Sequence, residues 1–244
     1  LAAGIPESTN LPSSGTPLHV ACRHGHPNIV HILLAGRADV DARAHDGASP
    51  LIIAAAHGEF TIARLLLATR ASVDTVSDGG TTPLLASCAC EQVEVGLRIA
   101  QLLLSSRASV NQMGPGGVMP LHTASTRGLP MLVRLLLDAN ADANAMTTTG
   151  ETPLSAAALG GHVGCVAMLL GAGGRDAPID GAVPVEGVEG TVEGASGRPP
   201  RPPRASAHRA AASRASDSPQ HAACVEILRR GQSAVGERSP PLPN

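Results

Sequence analysis

A four-residue segment recurs five times along the chain at a nearly constant spacing. Its first copy, Thr-Pro-Leu-His, begins at residue 16, and the later copies begin at residues 49, 82, 119 and 152. Three of the four spacings are therefore equal, and the one that follows the third start is longer by four residues. A constant period of this length indicates a repeat array, in which each unit packs against its neighbours. The spacing predicts an elongated stack of similar units rather than one globular core.

The first complete unit contains the signals for two helices and a connecting finger. Thr16 is a hydroxyl N-cap, and Pro17 stands at the first helical position, where a missing N–H costs nothing. Gly25 ends this short helix, and residues 28–35 repeat apolar side chains at helical spacing. The polar segment 37–48 then leads to the next cap. One unit is thus predicted to be helix, turn, helix and finger.

These features resemble the ankyrin repeat, whose period and T-P-L-H-x-A signature match the first unit through Ala21. The resemblance covers residues 1–180, about three quarters of the chain. It implies an all-α repeat solenoid of stacked helix pairs with projecting β-hairpin-like fingers. It also implies a concave surface on which this family holds other proteins, and hence a scaffold that is not an enzyme.

The third and fourth units depart from the pattern. In the third, the segment between Cys88 and Arg98 lacks the glycine turn and contains the four added residues. We expect a lengthened first helix or an enlarged turn there. The fourth begins with Met119, which has no hydroxyl to cap the helix, and such a loss typically costs about 1 kcal/mol.

The residue after each second helix also departs from the family, which usually places glycine there in a left-handed conformation. The first four units instead have Arg37, Arg70, Arg107 and Asn140. Asparagine tolerates this conformation, whereas arginine loses roughly 1 kcal/mol in it. Either the array accepts this loss three times or these turns differ from the pattern.

Composition changes after the fifth unit. We expect residues 181–206 to be a disordered linker rich in Pro, Gly and Arg, residues 207–235 to be a degenerate sixth repeat, and residues 236–244 to be a flexible tail. In this sixth repeat, a first helix is predicted at Ala207–Ser213 and the second half at His221–Val235. Residues 1–14 align with the end of a preceding repeat, so we interpret the chain as a fragment whose array occupies residues 15–180.

Bulk composition excludes several function classes. The chain has no Trp, no Tyr and one aromatic residue, Phe60, which argues against stacking on single-stranded nucleic acid. A net charge of −2 gives no attraction to phosphate or membranes, and no run approaches the roughly 18 apolar residues of a membrane span. Five cysteines form an odd, sparse set, so we expect a reducing, intracellular location in the cytoplasm or nucleus.

Histidines and cysteines suggest a metal site, but their spacing does not support one. Cys22, His24, His26 and His31 lie close in sequence, yet Gly25 and a proline break the helix between them. In the ankyrin family, the ring at His19 and His122 forms hydrogen bonds between neighbouring loops. We expect Cys88 to pack inward and Cys90 to be exposed to oxidation.

Catalytic patterns are also missing from the sequence. No nucleophile, base and orienting group fall at matching positions, and the glycine-rich segment 114–117 lacks the lysine of a phosphate-binding loop. We interpret that segment as a turn. The sequence therefore predicts no enzyme activity, no cofactor, no metal and no small-molecule substrate.

Partner binding in this family usually involves the finger tips and the exposed ends of the first helices. At the matching positions this chain has polar residues: Arg23, His24, His45, Asp46, His57, Asp78, Thr126, Arg127, Thr148, Thr149 and Glu151. Arginine is common among the residues that dominate interface energies. Arg23 and Arg127 are therefore the strongest candidates.

Other interactions and functions stay open at this point. Pro199, Pro202 and Arg204 match a P-x-x-P-x-R ligand of SH3 domains. The leading hypothesis is a scaffold that binds one or more proteins. An alternative is the substrate-recognition subunit of a ubiquitin ligase or other catalytic complex whose recruitment module lies outside this fragment. A third is a regulatory domain of a larger enzyme or channel.

Overall fold

The computed structural model of the protein describes residues 15–174 and 219–236. For residue 221 and residues 229–236 it describes the backbone alone. Several predicted features lie outside the described residues: the segment 1–14, the linker 181–206 with Pro199, Pro202 and Arg204, the helix at Ala207–Ser213, and residues 237–244.

Residues 15–174 form five helix pairs, which confirms the predicted all-α repeat solenoid. The first helices of the pairs are α1 (Pro17–Arg23), α3 (Pro50–His57), α5 (Pro83–Ala89), α7 (Pro120–Thr126) and α9 (Pro153–Leu159). The second helices are α2 (Pro27–Ala35), α4 (Phe60–Ala68), α6 (Val93–Ser105), α8 (Pro130–Asp138) and α10 (Val163–Gly171). A further helix, α11 (Pro219–Gly236), follows beyond the gap.

Prolines begin all five first helices as the sequence predicts, and hydroxyl caps form at three of them, whereas Thr16 makes no side-chain cap bond. The hydroxyls of Ser49, Thr82 and Thr152 each accept a hydrogen bond from the amide three residues later, at 3.3, 3.1 and 3.1 Å. A proline occupies the first turn of all five first helices. Since the first amides of a helix have no partner within it, these caps set where each helix starts.

Packing between successive units forms the core. Each first helix contacts the first helix of the next unit, and each second helix contacts the next second helix. One leucine per unit lies at the same position in the first helices and is fully buried: Leu18, Leu51, Leu84, Leu121 and Leu154. Buried alanines such as Ala55 and Ala124 let the short helices approach closely, so the core needs no large aromatic side chains.

Backbone hydrogen bonds close the fingers. The Ala44 amide donates to the Ala48 carbonyl at 2.9 Å, and Ser77, Gly114 and Thr147 donate in the same way in the later fingers. Backbone bonds also join neighbouring tips. The backbone amide of Asp78 donates to the carbonyl of Asp46 at 3.0 Å, and that of Thr148 donates to the carbonyl of Gly116 at 2.9 Å. These bonds hold the first tip against the second and the third against the fourth.

The positions after the second helices do adopt the left-handed conformation. Arg37, Arg70, Arg107 and Asn140 have φ angles of 64°, 66°, 69° and 63°. In the first unit, the amide of Arg37 donates to Leu34 and that of Ala38 to Leu33, which is the Schellman arrangement of a helix end. The turns thus keep the family pattern, and arginine occupies a backbone geometry that favours glycine.

The four residues added in the third unit extend its second helix, so the predicted lengthened first helix or enlarged turn is wrong. Helix α5 has 7 residues, as α1 does, whereas α6 has 13 residues and α4 has 9. Gly96 permits this extension, because a Cβ atom there would lie 2.6 Å from the carbonyl oxygen of Ser87. The longer α6 can therefore pass directly over α5.

The same close approach corrects the prediction for Cys90. Its side chain is buried, with 2% of its surface exposed, rather than open to oxidation. Gly58 and Gly96 both face it, since a Cβ atom at either position would lie 3.2 Å from Cys90. The predicted burial of Cys88 is confirmed, with 0% exposed.

Helix α11 packs against α10 and also contacts α9. Its Cys224 and Leu228 are buried, and they occupy the positions that correspond to Cys165 and Leu169 in α10. The helix therefore covers the end of the array in the manner of a second helix of a further unit.

Replacing Arg70 with glycine should stabilise the array. The free energy of unfolding is expected to rise by about 1 kcal/mol, because the left-handed strain at this position is relieved. Asn140→Gly is the matched control and should have a smaller effect, since asparagine already tolerates this conformation. Chemical denaturation followed by circular dichroism measures both changes, and a lower unfolding midpoint for Arg70→Gly would contradict the assignment of strain.

Candidate partner-binding surface

Two buried histidines connect the first helices to the neighbouring fingers. In the first unit, Nδ1 of His19 accepts a hydrogen bond from the amide of Thr16 at 3.1 Å, and its Nε2–H donates to the carbonyl of Ala48 at 3.1 Å. In the fourth unit, Nδ1 of His122 accepts a hydrogen bond from the amide of Met119 at 3.2 Å, and its Nε2 lies 3.1 Å from the carbonyl oxygen of Glu151. The family role predicted for these rings is thus present in both units.

Burial lowers the pKa of both histidines below its ordinary value of 6.5. For His19, the hydrogen bond to Ala48 opposes this effect but is the smaller influence. Nδ1 can accept a hydrogen bond only in the neutral ring, so protonation would remove its bond from the Thr16 or Met119 amide, whereas the Nε2–H bond to the finger carbonyl would remain. Protonation would therefore release each ring from the N-cap amide of its own helix, and burial disfavours that charged form.

A second set of bonds joins successive fingers at their base. Ser72 donates its amide and hydroxyl to the carboxylate of Asp41 at 2.9 and 2.6 Å, and Ser109 donates in the same way to Asp74 at 2.9 and 2.7 Å. Between the third and fourth fingers, Oδ1 of Asn111 accepts a hydrogen bond from the amide of Asp142 at 2.9 Å. These acceptors recur in the sequence with the period of the array. That periodicity could have predicted them.

The predicted binding residues fall into two groups. The first group lies at the C-terminal ends of the first helices: Arg23, His24, His57, Thr126 and Arg127. The second group lies on the fingers: His45, Asp46, Asp78, Thr148, Thr149 and Glu151. Arg23, Arg127 and Glu151 are half-buried, and the other eight are exposed. The array thus places all eleven along its finger side and helix ends.

Arg127 is already engaged within the array. Its Nη1 donates to the carbonyl of Cys88 at 2.6 Å, near the end of α5 in the preceding unit. This bond satisfies a carbonyl that has no partner within its own helix. Arg127 therefore has a structural contact that its sequence position did not indicate.

Most of the other candidates also make bonds within the array. Asp78 pairs with Arg43 at 3.0 Å, a residue that the sequence analysis missed, and the exposed pair contributes less than about 1 kcal/mol. The remaining bonds join the following pairs: Asp46 Oδ1 with the Ala48 amide, His57 with the Ile53 carbonyl, Thr126 with the His122 carbonyl, Thr148 with the Gly116 carbonyl, and Thr149 with Thr147.

Arg23 and His45 differ from these residues. Across residues 15–174 and 219–236, neither side chain has a hydrogen-bond or ion-pair partner, and His24 makes only a ring contact with His26 at 6.3 Å between centroids. A partner could use these groups without breaking a bond within the array.

The cysteines are placed to pack rather than to react. All five are buried and unpaired. Burial raises the pKa of Cys22 and Cys88 to about 12 and that of Cys165 to about 11, so their thiols remain protonated near neutral pH. Within the described part of the chain, no three His, Cys, Asp or Glu side chains converge as a metal site, and no helix is both long and apolar enough to span a membrane.

A family model for ankyrin repeats, in three copies, matches residues 18–113 and 92–179. These ranges cover more than half of the 244 residues. The chain belongs to the ankyrin-repeat family. Ankyrin repeats are generally modules for protein–protein interaction, and proteins built from them are typically scaffolds rather than enzymes. No curated protein matches this ankyrin chain significantly.

Acidification should destabilise the ankyrin array through His19 and His122. As the pH falls below about 6.5, the unfolded chain binds protons more readily than the folded one, so the free energy of unfolding decreases. Denaturation midpoints measured from about pH 7.5 to about pH 5 test this sign. His19→Gln with His122→Gln keeps a side chain suited to the third helical position and should flatten the dependence. An unchanged slope would show that other groups control it.

Proposed function

We propose that the array is a scaffold that holds a segment of a partner protein against the finger tips and the C-terminal ends of the first helices. The observation that carries this proposal is the state of Arg23 and His45. Arg23 is half-buried at the C-terminal end of α1, His45 is exposed on the first finger, and neither has a polar partner in the described residues. Polar groups of this kind can bind a partner without any loss of internal bonds.

The fixed geometry of this surface supports the same proposal. Backbone bonds join the first finger tip to the second and the third to the fourth, and the N-terminal turns of α1 and α7 are tied to the fingers through His19 and His122. A surface that is held in place before binding loses little conformational entropy when a partner is bound. In this proposal the scaffold acts in the reducing environment of the cytoplasm or nucleus, which suits five unpaired cysteines.

Removal of Arg23 and His45 should weaken partner binding. Affinity capture from a cell lysate with mass spectrometry identifies a partner, and its purified form is then titrated against Arg23→Ala with His45→Ala. We expect the dissociation constant to rise about tenfold, which equals about 1.4 kcal/mol.

Arg64→Ala with Arg134→Ala is the matched control for this titration. These exposed arginines lie on the second helices α4 and α8, so they test for a general effect of lost positive charge. The control should change the dissociation constant by less than about twofold. Equal weakening by both pairs, or no weakening by the first, would rule out the proposed surface.

A further inference from the structure

Two exposed methionines occupy the same position on neighbouring fingers. Met113 has 62% of its surface exposed and Met146 has 42%, although large apolar side chains are normally buried. The spacing between them is one period, and the corresponding residues of the first two fingers are Arg43 and Val76. The two methionines, here called the methionine patch, are thus a feature of the third and fourth fingers.

The burial pattern along the fourth finger relates Met146 to the predicted binding residue Thr148. In the fourth finger, buried and exposed residues alternate from Ala143 to Thr148, so Met146 and Thr148 lie on one face. In the third, Met113 and Pro115 are both exposed, and Gly114 between them is half-buried. The bond from the Thr148 amide to the Gly116 carbonyl joins these two fingers at their tips.

Charge is distributed unevenly along the fingers. The first two tips contain charged or titratable groups at Arg43, His45, Asp46 and Asp78. The segments 112–118 and 145–150 contain no Asp, Glu, Arg or His. A partner residue placed over Met113 and Met146 therefore meets apolar and uncharged groups, while the charged Glu151 of the fourth finger is half-buried at its end. Such surroundings complement an apolar side chain and penalise a charged one.

We propose that the methionine patch binds an aliphatic or aromatic side chain presented by a partner peptide segment. This inference rests on the proposed function and assigns the partner's chemistry at one end of the same surface. Methionine is flexible and polarisable, so a pair of them adapts to Leu, Ile, Met or Phe. The polar residues of the same segment lie toward Arg23 and His45, over the first two units.

A displayed library of random peptides, each about a dozen residues long, tests this assignment on the 244-residue chain. Selected peptides should share at least one large apolar residue, which anchors binding. Met113→Glu with Met146→Glu should raise the dissociation constant of a labelled selected peptide at least about tenfold. The matched control is Met131→Glu, because Met131 is 63% exposed but lies on the second helix α8.

Alanine variants of the same two methionines add no charge and should give a smaller loss in the same direction. Circular dichroism verifies that each variant stays folded. Peptides that respond to Arg23→Ala with His45→Ala but not to the methionine variants would overturn this inference and leave the proposed function intact. Peptides that respond to neither set would overturn both. A concentration-dependent dimer that Met113→Glu abolishes would assign the patch to a second copy of the chain and overturn the peptide assignment.

Discussion

Packing between successive helix pairs is the interaction on which this structure depends. A pair of helices with 7 and 9 residues cannot bury its apolar face alone, so each unit is stable only against its neighbours. The buried leucines at equivalent positions of the five first helices form this interface. Small side chains surround these leucines, so the units pack at a short and nearly fixed spacing. The constant period of the sequence follows from that spacing.

Polar contacts specify how the units are aligned. The neutral rings of His19 and His122 join helices to fingers, and the carboxylates of Asp41 and Asp74 join the base of one finger to the next. These groups maintain the repeating geometry of the array, whereas the chemistry of the positions between them can vary. The proposed binding surface consists of those intervening positions, which explains why the residues that mark the fold do not identify the partner.

Local signals were sufficient to predict most of the fold. The Thr-Pro start of a helix depends on contacts within three residues, so the sequence predicted the five pairs and their caps. Local signals did not suffice for the third unit, because the position of its four added residues depends on the contact between Gly96 and Ser87 in another helix. The burial of Cys90 follows from the same contact. Periodicity cannot show such close approaches.

The candidate surface was predicted by position but not by chemistry. Register placed Arg23 and Arg127 on it, yet the bond from Arg127 to Cys88 joins residues 39 positions apart and has no sequence signature. The methionine patch was missed because only polar residues at finger tips and helix ends were considered, and Arg43 was missed because its pairing with Asp78 joins residues 35 positions apart. Their exposed state became apparent only from the packing of the fingers.

Hydrogen exchange of the chain with and without its captured partner tests the central claim most directly. If the partner lies on the finger side, amide protection should increase in the finger segments 43–48, 76–81, 113–118 and 146–151 and at the ends of α1 and α3. The outer surfaces of α4 and α8 should exchange as before. Protection confined to the second helices would contradict the account.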